Sequence, residues 1–413
     1  MSILFDDWDL PSPASSQASD TAILPTPPMP ARPEAAISLH AGMTPSVPAS
    51  RPMPAMPPTA TSGMTAAMTS SVATSANPAR APVNAADKRI VNGKADINQL
   101  APFKYPWAWE FFLKGNRNHW TPLEISMAQD VHDYHHKLSP AERHVFENVL
   151  AYLTTSDILA MRNIGLAVME KMSAPELQIY QARQVYEEAL HTWTYQHCIE
   201  SIGLDQQEIY NRYRVVPEIH GKIKLANQRL ERVMRADFDL TDRANLHEFA
   251  LSYFFFAVIF EGCWFYNGFT PIFALQRRGL MKGAAEQLQY IMRDEVLHCA
   301  FGIRVVKELL KEEGLTLDPA ALRQLWDEAD AAESAYAGYI LRDPILGYNA
   351  DLHRQQFRFI ANRRARQVGV EEPFPGAENV LPWLDEQANL RKEKNFFETR
   401  VTEYQTGGAL AWD

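Results

Sequence analysis

The chain has 413 residues, of which 46% are hydrophobic and 22% are charged, and its net charge is −10. This length is enough for one large domain or two ordinary ones. An acidic chain without a basic stripe is not typical of nucleic-acid-binding proteins, so no nucleic-acid partner is expected. The three cysteines, Cys198, Cys263 and Cys299, form no CxxC pair and no zinc spacing, which predicts reduced packing residues in a cytoplasmic protein.

Residues 1–87 differ in composition from the rest of the chain. They hold more than half of the 27 prolines and half of the 14 methionines, mixed with Ala, Ser and Thr. Such a segment cannot bury enough apolar surface to offset the entropy of ordering, so it is predicted to be a disordered extension. Its first residues carry neither a basic region nor a long apolar core, and they do not resemble a signal peptide.

From Lys88 onward the sequence predicts long helices joined by short links. The first opens at Ser139, an N-cap followed by Pro140, and runs to about residue 172. The second runs from about Ser173 to Gly203, a residue that suits a helix C-terminus. Further helices are predicted at about 205–234, 241–267, 283–313, 318–341 and 347–368. Because no strand alternation separates these segments, the predicted fold class is an all-α bundle.

The segment 249–266 is apolar enough to raise the question of a membrane span. Glu261 interrupts it, and no second span follows. Since an acid inside a bilayer is costly, the segment is predicted to be a buried helix of a soluble protein, with no membrane partner.

Two E-x-x-H motifs each place a glutamate and a histidine one helical turn apart. They are Glu188/His191 in EEALH and Glu295/His298 in DEVLH. With 12 histidines in the chain, one such match is expected by chance, and two remain weak evidence alone. Both motifs nevertheless lie in helices dense in apolar residues, where an unpaired carboxylate is costly.

Two further acids, Asp157 and Glu261, lie in the apolar stretches of two other helices. Either acid alone is more often a core carboxylate whose charge is satisfied by a neighbour. Together with the two motifs, however, four helices supply four carboxylates and two imidazoles. This is the ligand set of a di-iron or di-manganese carboxylate bundle, and such oxygen and nitrogen donors suit iron or manganese.

Tyr195 lies one helical turn beyond His191 and on the same side of its helix. Its ring can therefore approach the metals without being a ligand, which suits a side chain that loses an electron. If the metal site were absent, an ordinary core tyrosine would be the better interpretation.

Several segments resemble one known family. They are YPWAWEFF, NHWTPLEI, RDEVLH and NFFETRVTEYQ, together with the two E-x-x-H motifs and separations of 31 residues from Asp157 to Glu188 and 34 from Glu261 to Glu295. From Lys88 to the C-terminus the chain resembles the small (β, radical-generating) subunit of class I ribonucleotide reductase. Only the N-terminal extension is left unmatched.

The resemblance implies a ferritin-like bundle over residues 88–395 with a dinuclear metal site in its core. Two iron ions per chain would be bound by six residues, namely Asp157, Glu188, His191, Glu261, Glu295 and His298. Tyr195 would hold a stable radical formed with O₂ and an electron donor. A relay would join the metals to the protein surface through Trp120, Asp294 and His191.

The resemblance also implies partners. Tyr404 would pass the radical to the large (α) subunit, which converts ribonucleotides to deoxyribonucleotides. Residues 396–413 would be a flexible tail that docks this subunit, and the small subunit itself is expected to be a homodimer.

Three alternatives stay open on sequence grounds. One subclass of the family uses a manganese–iron pair, with phenylalanine at the radical position and often glutamate as first ligand. Here those residues are Tyr195 and Asp157, which favours di-iron and a tyrosyl radical. A di-iron oxygenase or ligand-binding oxidase could use the same bundle without needing Trp120, Tyr404 or a docking tail. An iron-storage subunit would be shorter and would need no buried tyrosine.

Overall fold

The computed structural model of the chain describes residues 84–91, 100–235 and 237–384. Long helices dominate these ranges, and their bounds are α1 Pro106–Gly115, α2 Ala128–His136, α3 Pro140–Asn163, α4 Pro175–Ile202, α5 Gln206–Val215, α6 Pro217–Glu231, α7 Arg243–Phe254, α8 Lys282–Glu313, α9 Pro319–Ile340 and α10 Ala350–Val368. The described residues contain no β-strand, only two isolated bridges. The predicted all-α fold class is therefore confirmed.

Two of these helices continue beyond their α-helical part through a π-helical segment. Helix α3 passes through Ile164–Val168 and ends with Met169–Lys171, and α7 passes through Phe255–Phe265 and ends with Tyr266–Arg277. A π-helix is rare and is found preferentially at functional sites. The longer of the two segments carries Glu261, and all of its residues are buried.

The predicted helix starts and stops are met closely at several positions. The Ser139 side chain accepts a hydrogen bond from the Glu142 backbone N–H, and the Glu142 carboxylate accepts one from Ser139, which makes a capping box. Gly203 ends α4 with a φ of 80°, a left-handed conformation that favours glycine. Helix α4 begins at Pro175 with Ala174 as its N-cap, one residue later than predicted from Ser173.

Two of the predicted helices have other bounds in the structure. The segment 205–234 is two helices, because Pro217 lacks an N–H and its neighbour Val216 is extended. The helix predicted at 241–267 continues to Arg277, although Pro271 lies inside it. Residues 267–275 are all buried, so tertiary packing outweighs the local cost of the proline.

Four helices form the centre of the bundle. Helix α3 packs along α4, and the π-helical segment of α7 packs against α8. Gly302 of α8 permits this second contact, because a Cβ atom there would overlap the Cβ atom of Ala257. The continuous helix Arg243–Arg277 is long and apolar enough to cross a membrane, but 89% of its most apolar window is buried inside the protein. It is a core helix, as predicted.

Candidate metal centre

The six predicted metal ligands come together in the middle of the bundle. Helix α3 supplies Asp157, α4 supplies Glu188 and His191, the π segment of α7 supplies Glu261, and α8 supplies the second motif. None of these side chains is more than 1% exposed. The four helices therefore converge on one dry site.

Five of the six residues fall into two groups that could each hold a metal ion. Asp157, Glu188 and His191 form one group, and Glu188, Glu295 and His298 form the other. Within each group the candidate ligand atoms lie within 4.8 Å of one another. Because Glu188 belongs to both groups, the two positions are adjacent and share a carboxylate.

The two histidines define the ends of this centre. His191 Nδ1 lies 3.6 Å from Glu188 Oε2 and 3.4 Å from Glu295 Oε1. His298 Nδ1 lies 3.2 Å from Glu188 Oε1 and 3.6 Å from Glu295 Oε2. Glu188 and Glu295 thus each direct one oxygen toward His191 and the other toward His298, so either carboxylate could contact ions at both ends. Asp157 contacts only the His191 end, with Oδ2 at 3.7 Å from Nδ1.

Glu261 lies beside the second group without belonging to it. Its Oε1 accepts a hydrogen bond of 2.7 Å from Gln184 Nε2, whereas its Oε2 has no hydrogen-bond partner. One oxygen is therefore fixed by the protein, and the other remains available to a cation.

The buried polar atoms of the centre fit a pair of cations. No hydrogen bond reaches either oxygen of Asp157, Glu188 or Glu295, or the Nδ1 atoms of His191 and His298. A buried polar atom without a partner normally costs about 1–3 kcal/mol, so a whole set of them is not a stable core by itself. Two divalent ions would bind these atoms and offset the four negative charges. Oxygen and imidazole donors without thiolate favour iron or manganese over metals that prefer sulfur.

The pKa values show the same excess of negative charge. Burial raises the pKa of Asp157 well above its ordinary value, and the nearby Glu188 carboxylate raises it further. Burial likewise raises the pKa of Glu261. Burial also acts to raise the pKa of Glu188, but its close contacts with the His191 and His298 imidazoles outweigh burial and lower that pKa to about 2. Without cations the centre would hold protons in the place of metals.

A second layer of acids holds the far nitrogen of each histidine. His191 Nε2 lies 3.2 Å from Asp294 Oδ2, and His298 Nε2 lies 2.8 Å from Glu187 Oε2. Each acid directly precedes the glutamate of one E-x-x-H motif and contacts the histidine of the other. Such contacts fix the orientation of a metal-binding histidine and leave its other nitrogen free for the metal.

Sequence reasoning missed Glu187, although a signal was present. Both motifs read acid–Glu–x–x–His, and a role was assigned only to the acid in DEVLH. Arg183, one turn before Glu187, donates a hydrogen bond of 2.8 Å from Nε to its Oε1. This ion pair offsets the charge of Glu187 in the buried interior.

The structure brings the predicted relay residues into one hydrogen-bonded chain. Trp120 Nε1 donates to Asp294 Oδ2 at 3.3 Å, and the same oxygen faces His191. Asn118 Nδ2 donates to the other oxygen of Asp294 at 2.5 Å, a contact that the sequence did not indicate. The Trp120 ring stacks on Tyr290, with centroids 5.4 Å apart. Tyr404 lies outside the described residues.

Tyr195 is completely buried, and its hydroxyl group has no hydrogen-bond partner. Burial raises its pKa well above the ordinary value, and the charges of Asp157 and Glu295 raise it further. The side chain is therefore a neutral phenol at the Asp157 end of the centre. The three cysteines are buried free thiols, as predicted.

Comparison with known proteins gives one consistent result. Residues 97–382 match the sequence model of the family described as "Ribonucleotide reductase, small chain". The chain is 38% identical over 336 residues to the ribonucleoside-diphosphate reductase subunit beta of Chlamydia pneumoniae, an alignment that covers 80% of this chain and 96% of the relative.

Solved structures of low sequence identity share the fold. The ribonucleotide reductase R2 subunit from Clostridium botulinum has a TM-score of 0.66 at 23% identity, covering 73% of this chain and 95% of that one. An R2-like ligand-binding oxidase with a reconstituted Mn/Fe cofactor has a TM-score of 0.54 at 17% identity, covering 64% of this chain and 94% of the oxidase.

Proposed function

This chain belongs to the ribonucleotide reductase small-chain family and is the small subunit of a ribonucleoside-diphosphate reductase; we propose that it binds two iron ions and stores a radical on Tyr195. The observation that carries the proposal is the buried centre in which two three-residue groups share Glu188. The carboxylate oxygens and Nδ1 atoms of these two groups have no hydrogen-bond partner inside the protein.

The six residues would bind the two ions from different sides of the centre. Asp157 and His191 would hold one ion, His298 and Glu261 the other, and Glu188 and Glu295 would bind both. When bound, the metal pair supplies the reduction of O₂ and a one-electron oxidant. Asp294 and Glu187 hold the imidazoles in position, and Gln184 fixes Glu261.

Tyr195 suits the storage of a radical because of where it lies. Its phenol is neutral and fully buried, so water and external reductants are kept away from the ring. Oxidation removes one electron and the hydroxyl proton, and Asp157 is the carboxylate whose charge acts most strongly on the phenol. The radical equivalent would then leave through His191, Asp294 and Trp120, and onward through Tyr404 to the large subunit.

We propose that both metal ions are iron rather than a manganese–iron pair. Tyr195 and Asp157 occupy the positions where the manganese–iron subclass has phenylalanine and often glutamate, and this supports iron at both positions. The similarity to an oxidase with an Mn/Fe cofactor keeps a mixed pair as the alternative to be tested.

Electron paramagnetic resonance (EPR) spectroscopy tests the radical directly. The metal-free protein is loaded with Fe(II) without oxygen and then exposed to O₂, while bound metal is counted in parallel. We expect two irons per chain and a narrow signal with tyrosyl hyperfine structure that is lost in Tyr195→Phe. Tyr180→Phe is the matched control, because Tyr180 is a buried tyrosine of the same helix whose hydroxyl also lacks a partner. A coupled signal that forms only after mixed Mn and Fe loading, and survives Tyr195→Phe, would refute the di-iron tyrosyl assignment.

We also propose that residues 396–413 dock the large subunit. This segment lies outside the described residues, and the proposal rests on its resemblance to the family tail. Deleting it should abolish ribonucleotide reduction with the large subunit while the Tyr195 radical still forms. Unchanged reduction after deletion would refute the tail assignment, and it would also weaken the role of Tyr404.

An exposed apolar patch supports the proposed homodimer. It consists of Ile158 and Leu166 on α3 and Tyr186 and Trp193 on α4, each between 39% and 54% exposed. Asp157 of α3 meets His191 of α4, and Gly165 meets Val185, so the two helices run antiparallel. Ile158 therefore lies level with Trp193, and Leu166 with Tyr186. Such a grouping of large apolar side chains is typical of an interaction surface. Trp193→Glu should yield monomers in light scattering, whereas Leu346→Glu, at a 73% exposed apolar residue elsewhere, should not.

The remaining assignments concern the ends of the chain and its location. We propose a cytoplasmic protein in which residues 1–87 form an extension separate from the helical domain of residues 88–395. Buried contacts begin at the proposed boundary, since Lys88 lies 3.6 Å from Glu176 and Ile90 is fully buried. Limited proteolysis should therefore remove the extension and leave a folded, metal-binding domain.

A further inference from the structure

A second buried charged cluster shares only helix α7 with the metal centre. We name it the lysine cluster, and its members are Lys222, Asn267, Glu333, Tyr348 and His353. Lys222 Nζ lies 2.5 Å from Glu333 Oε2, and both side chains are completely buried. Glu333 Oε1 accepts hydrogen bonds from Asn267 Nδ2 and His353 Nε2, each at 2.7 Å. Tyr348 contacts the remaining nitrogen of His353 at 2.5 Å.

The ammonium group of Lys222 also lies against three aromatic rings. Its Nζ is 3.8 Å from the centroid of Tyr152, 4.6 Å from that of Tyr336 and 4.9 Å from that of Trp264. All three rings are fully buried. Attraction between a cation and ring faces stabilises this arrangement, but it also changes the chemistry of the rings.

These rings are close competitors of Tyr195 for oxidation. Tyr152 lies on α3 five residues before Asp157, and Trp264 follows Glu261 by three residues in the π segment of α7. Tyrosine and tryptophan are among the side chains that are most easily oxidised by one electron. A radical-generating centre that did not distinguish these rings from Tyr195 would lose its oxidising equivalent to them.

We propose that Lys222 directs oxidation to Tyr195 by making the three rings that surround its ammonium group resistant to electron loss. A ring that loses an electron becomes a cation, and the Lys222 ammonium group repels it. The paired Glu333 carboxylate reduces this repulsion, but the ammonium group is the member of the pair that lies over the ring faces, at 3.8–4.9 Å from their centroids. The Tyr195 ring is not one of the rings that Lys222 contacts in the described part of the chain.

The proposal rests on the radical function of Tyr195, and its electron balance is simple. The oxidant is the one that O₂ and the loaded centre supply in the proposed function. When Lys222 is charged, each oxidising equivalent removes one electron and one proton from Tyr195, and both are consumed in the reduction of O₂ to water. Without that charge, one of the three rings gives up the electron instead, so each ring oxidised costs one Tyr195 radical.

The test compares three variants with the wild-type protein. Lys222→Met removes the charge with little change in length, and the double variant Lys222→Met/Glu333→Gln removes the charge without leaving Glu333 unpaired. Lys307→Met is the control, since it removes an exposed lysine charge from α8. In one arm, metal-free protein is oxidised by azide radicals. In the other, protein is loaded with Fe(II) and exposed to O₂. Peptide mass spectrometry measures oxidation products at the three rings in both arms, and EPR spectroscopy measures the Tyr195 radical in the second.

We expect both Lys222 variants to show at least about tenfold more oxidation at the three rings than the wild type and the control, in both arms. The yield of the Tyr195 radical should fall by the amount of oxidation gained. Unchanged ring oxidation in the metal-free arm would overturn the proposal. So would a double variant that behaves like the wild type, because the effect of Lys222→Met would then come from an unpaired Glu333. Failure of the proposed function gives a different result, in which wild-type protein forms no Tyr195 radical while the metal-free arm keeps its difference.

Discussion

The metal centre and the lysine cluster are two answers to the same physical problem. Both bury carboxylates completely, and both draw residues from α7. In the lysine cluster, Glu333 is neutralised by Lys222 and hydrogen-bonded by Asn267 and His353. In the metal centre, Glu188 and its neighbours face one another without such partners.

The presence or absence of neutralising partners distinguishes a buried acid with a structural role from one with a functional role. Burial alone does not separate Glu333 from Glu188, since both are fully buried. The balance of partners does, because several carboxylates in a protein core stay ionised only when cations neutralise them. The comparison predicts that removing an acid has opposite effects in the two clusters.

The largest expected effect is on metal binding. Glu188→Gln removes the carboxylate that both metal groups share, so Fe(II) and Mn(II) should bind more than about a hundredfold more weakly. This loss is larger than the about 10–100-fold loss that is typical of residues that only orient a metal ligand. Anaerobic equilibrium dialysis with metal analysis measures this. Glu200→Gln, an exposed acid on the same helix, should bind metal like the wild type. Two tightly bound ions in Glu188→Gln would show that the centre lies elsewhere.

The next effect is the loss of folding stability when the charge of Lys222 is removed from the lysine cluster. Lys222→Met should destabilise the metal-free protein by about 3–5 kcal/mol, because it leaves Glu333 buried without its charge partner. The double variant Lys222→Met/Glu333→Gln should recover most of that loss. Denaturant unfolding measures both values. Equal losses in the single and double variants would mean that packing, rather than charge balance, holds this region together.

Removing an acid from the metal centre should stabilise the metal-free protein, whereas opening the Lys222–Glu333 ion pair destabilises it. Since burial raises the pKa of Asp157 in the folded state, the metal-free protein loses stability as pH rises above the ordinary value of 3.8. The loss is about 1.4 kcal/mol per pH unit until the folded-state pKa is reached. Asp157→Asn should therefore stabilise the metal-free protein at pH 7, and the gain should shrink toward zero as pH falls to about 4.

Glu333 supplies the matched comparison for this pH dependence. The Lys222 charge and the His353 hydrogen bond overcome burial and lower the pKa of Glu333 to about 2. Its contribution to stability is therefore present above pH 4.5 and is lost as pH falls toward 2. Glu333→Gln should destabilise the protein at pH 7 and become harmless in acid. If the two variants gave pH profiles of the same sign, the distinction between the clusters would fail.

The smallest expected effect concerns the acids behind the histidines. Asp294→Asn and Glu187→Gln should each weaken metal binding by about 10–100-fold, since each orients one imidazole. Because both histidines contact Glu188 and Glu295, the two effects should be coupled and should not simply add in the double variant. Isothermal titration with Mn(II) measures this. Strictly additive effects would mean that the two positions bind metal independently.

Much of this arrangement could be predicted from local patterns in the sequence. The E-x-x-H motifs and the acids at 157 and 261 are readable because a helix repeats at a known spacing. The capping box at Ser139 and the glycine at 203 are equally local signals. Such features depend on neighbours within one helix, and the structure places them as expected.

The remainder depends on contacts between distant helices. Nothing in the sequence near Lys222 indicates that its charge meets Glu333, 111 positions later, inside a ring of aromatic side chains. The π segment around Glu261 also changes which residues share a face, and α-helical spacing does not describe it. Glu187 was overlooked because its partner, His298, is on another helix.

We propose that the buried atoms of the metal centre that lack a hydrogen-bond partner are ligands for two adjacent cations. Anomalous X-ray diffraction at the iron and manganese absorption edges, on crystals of metal-loaded protein, locates such ions. We expect two peaks per chain, one near His191 and one near His298, with Glu188 and Glu295 close to both. A single peak, or peaks that leave Glu188 without a metal contact, would refute the proposed ligand set.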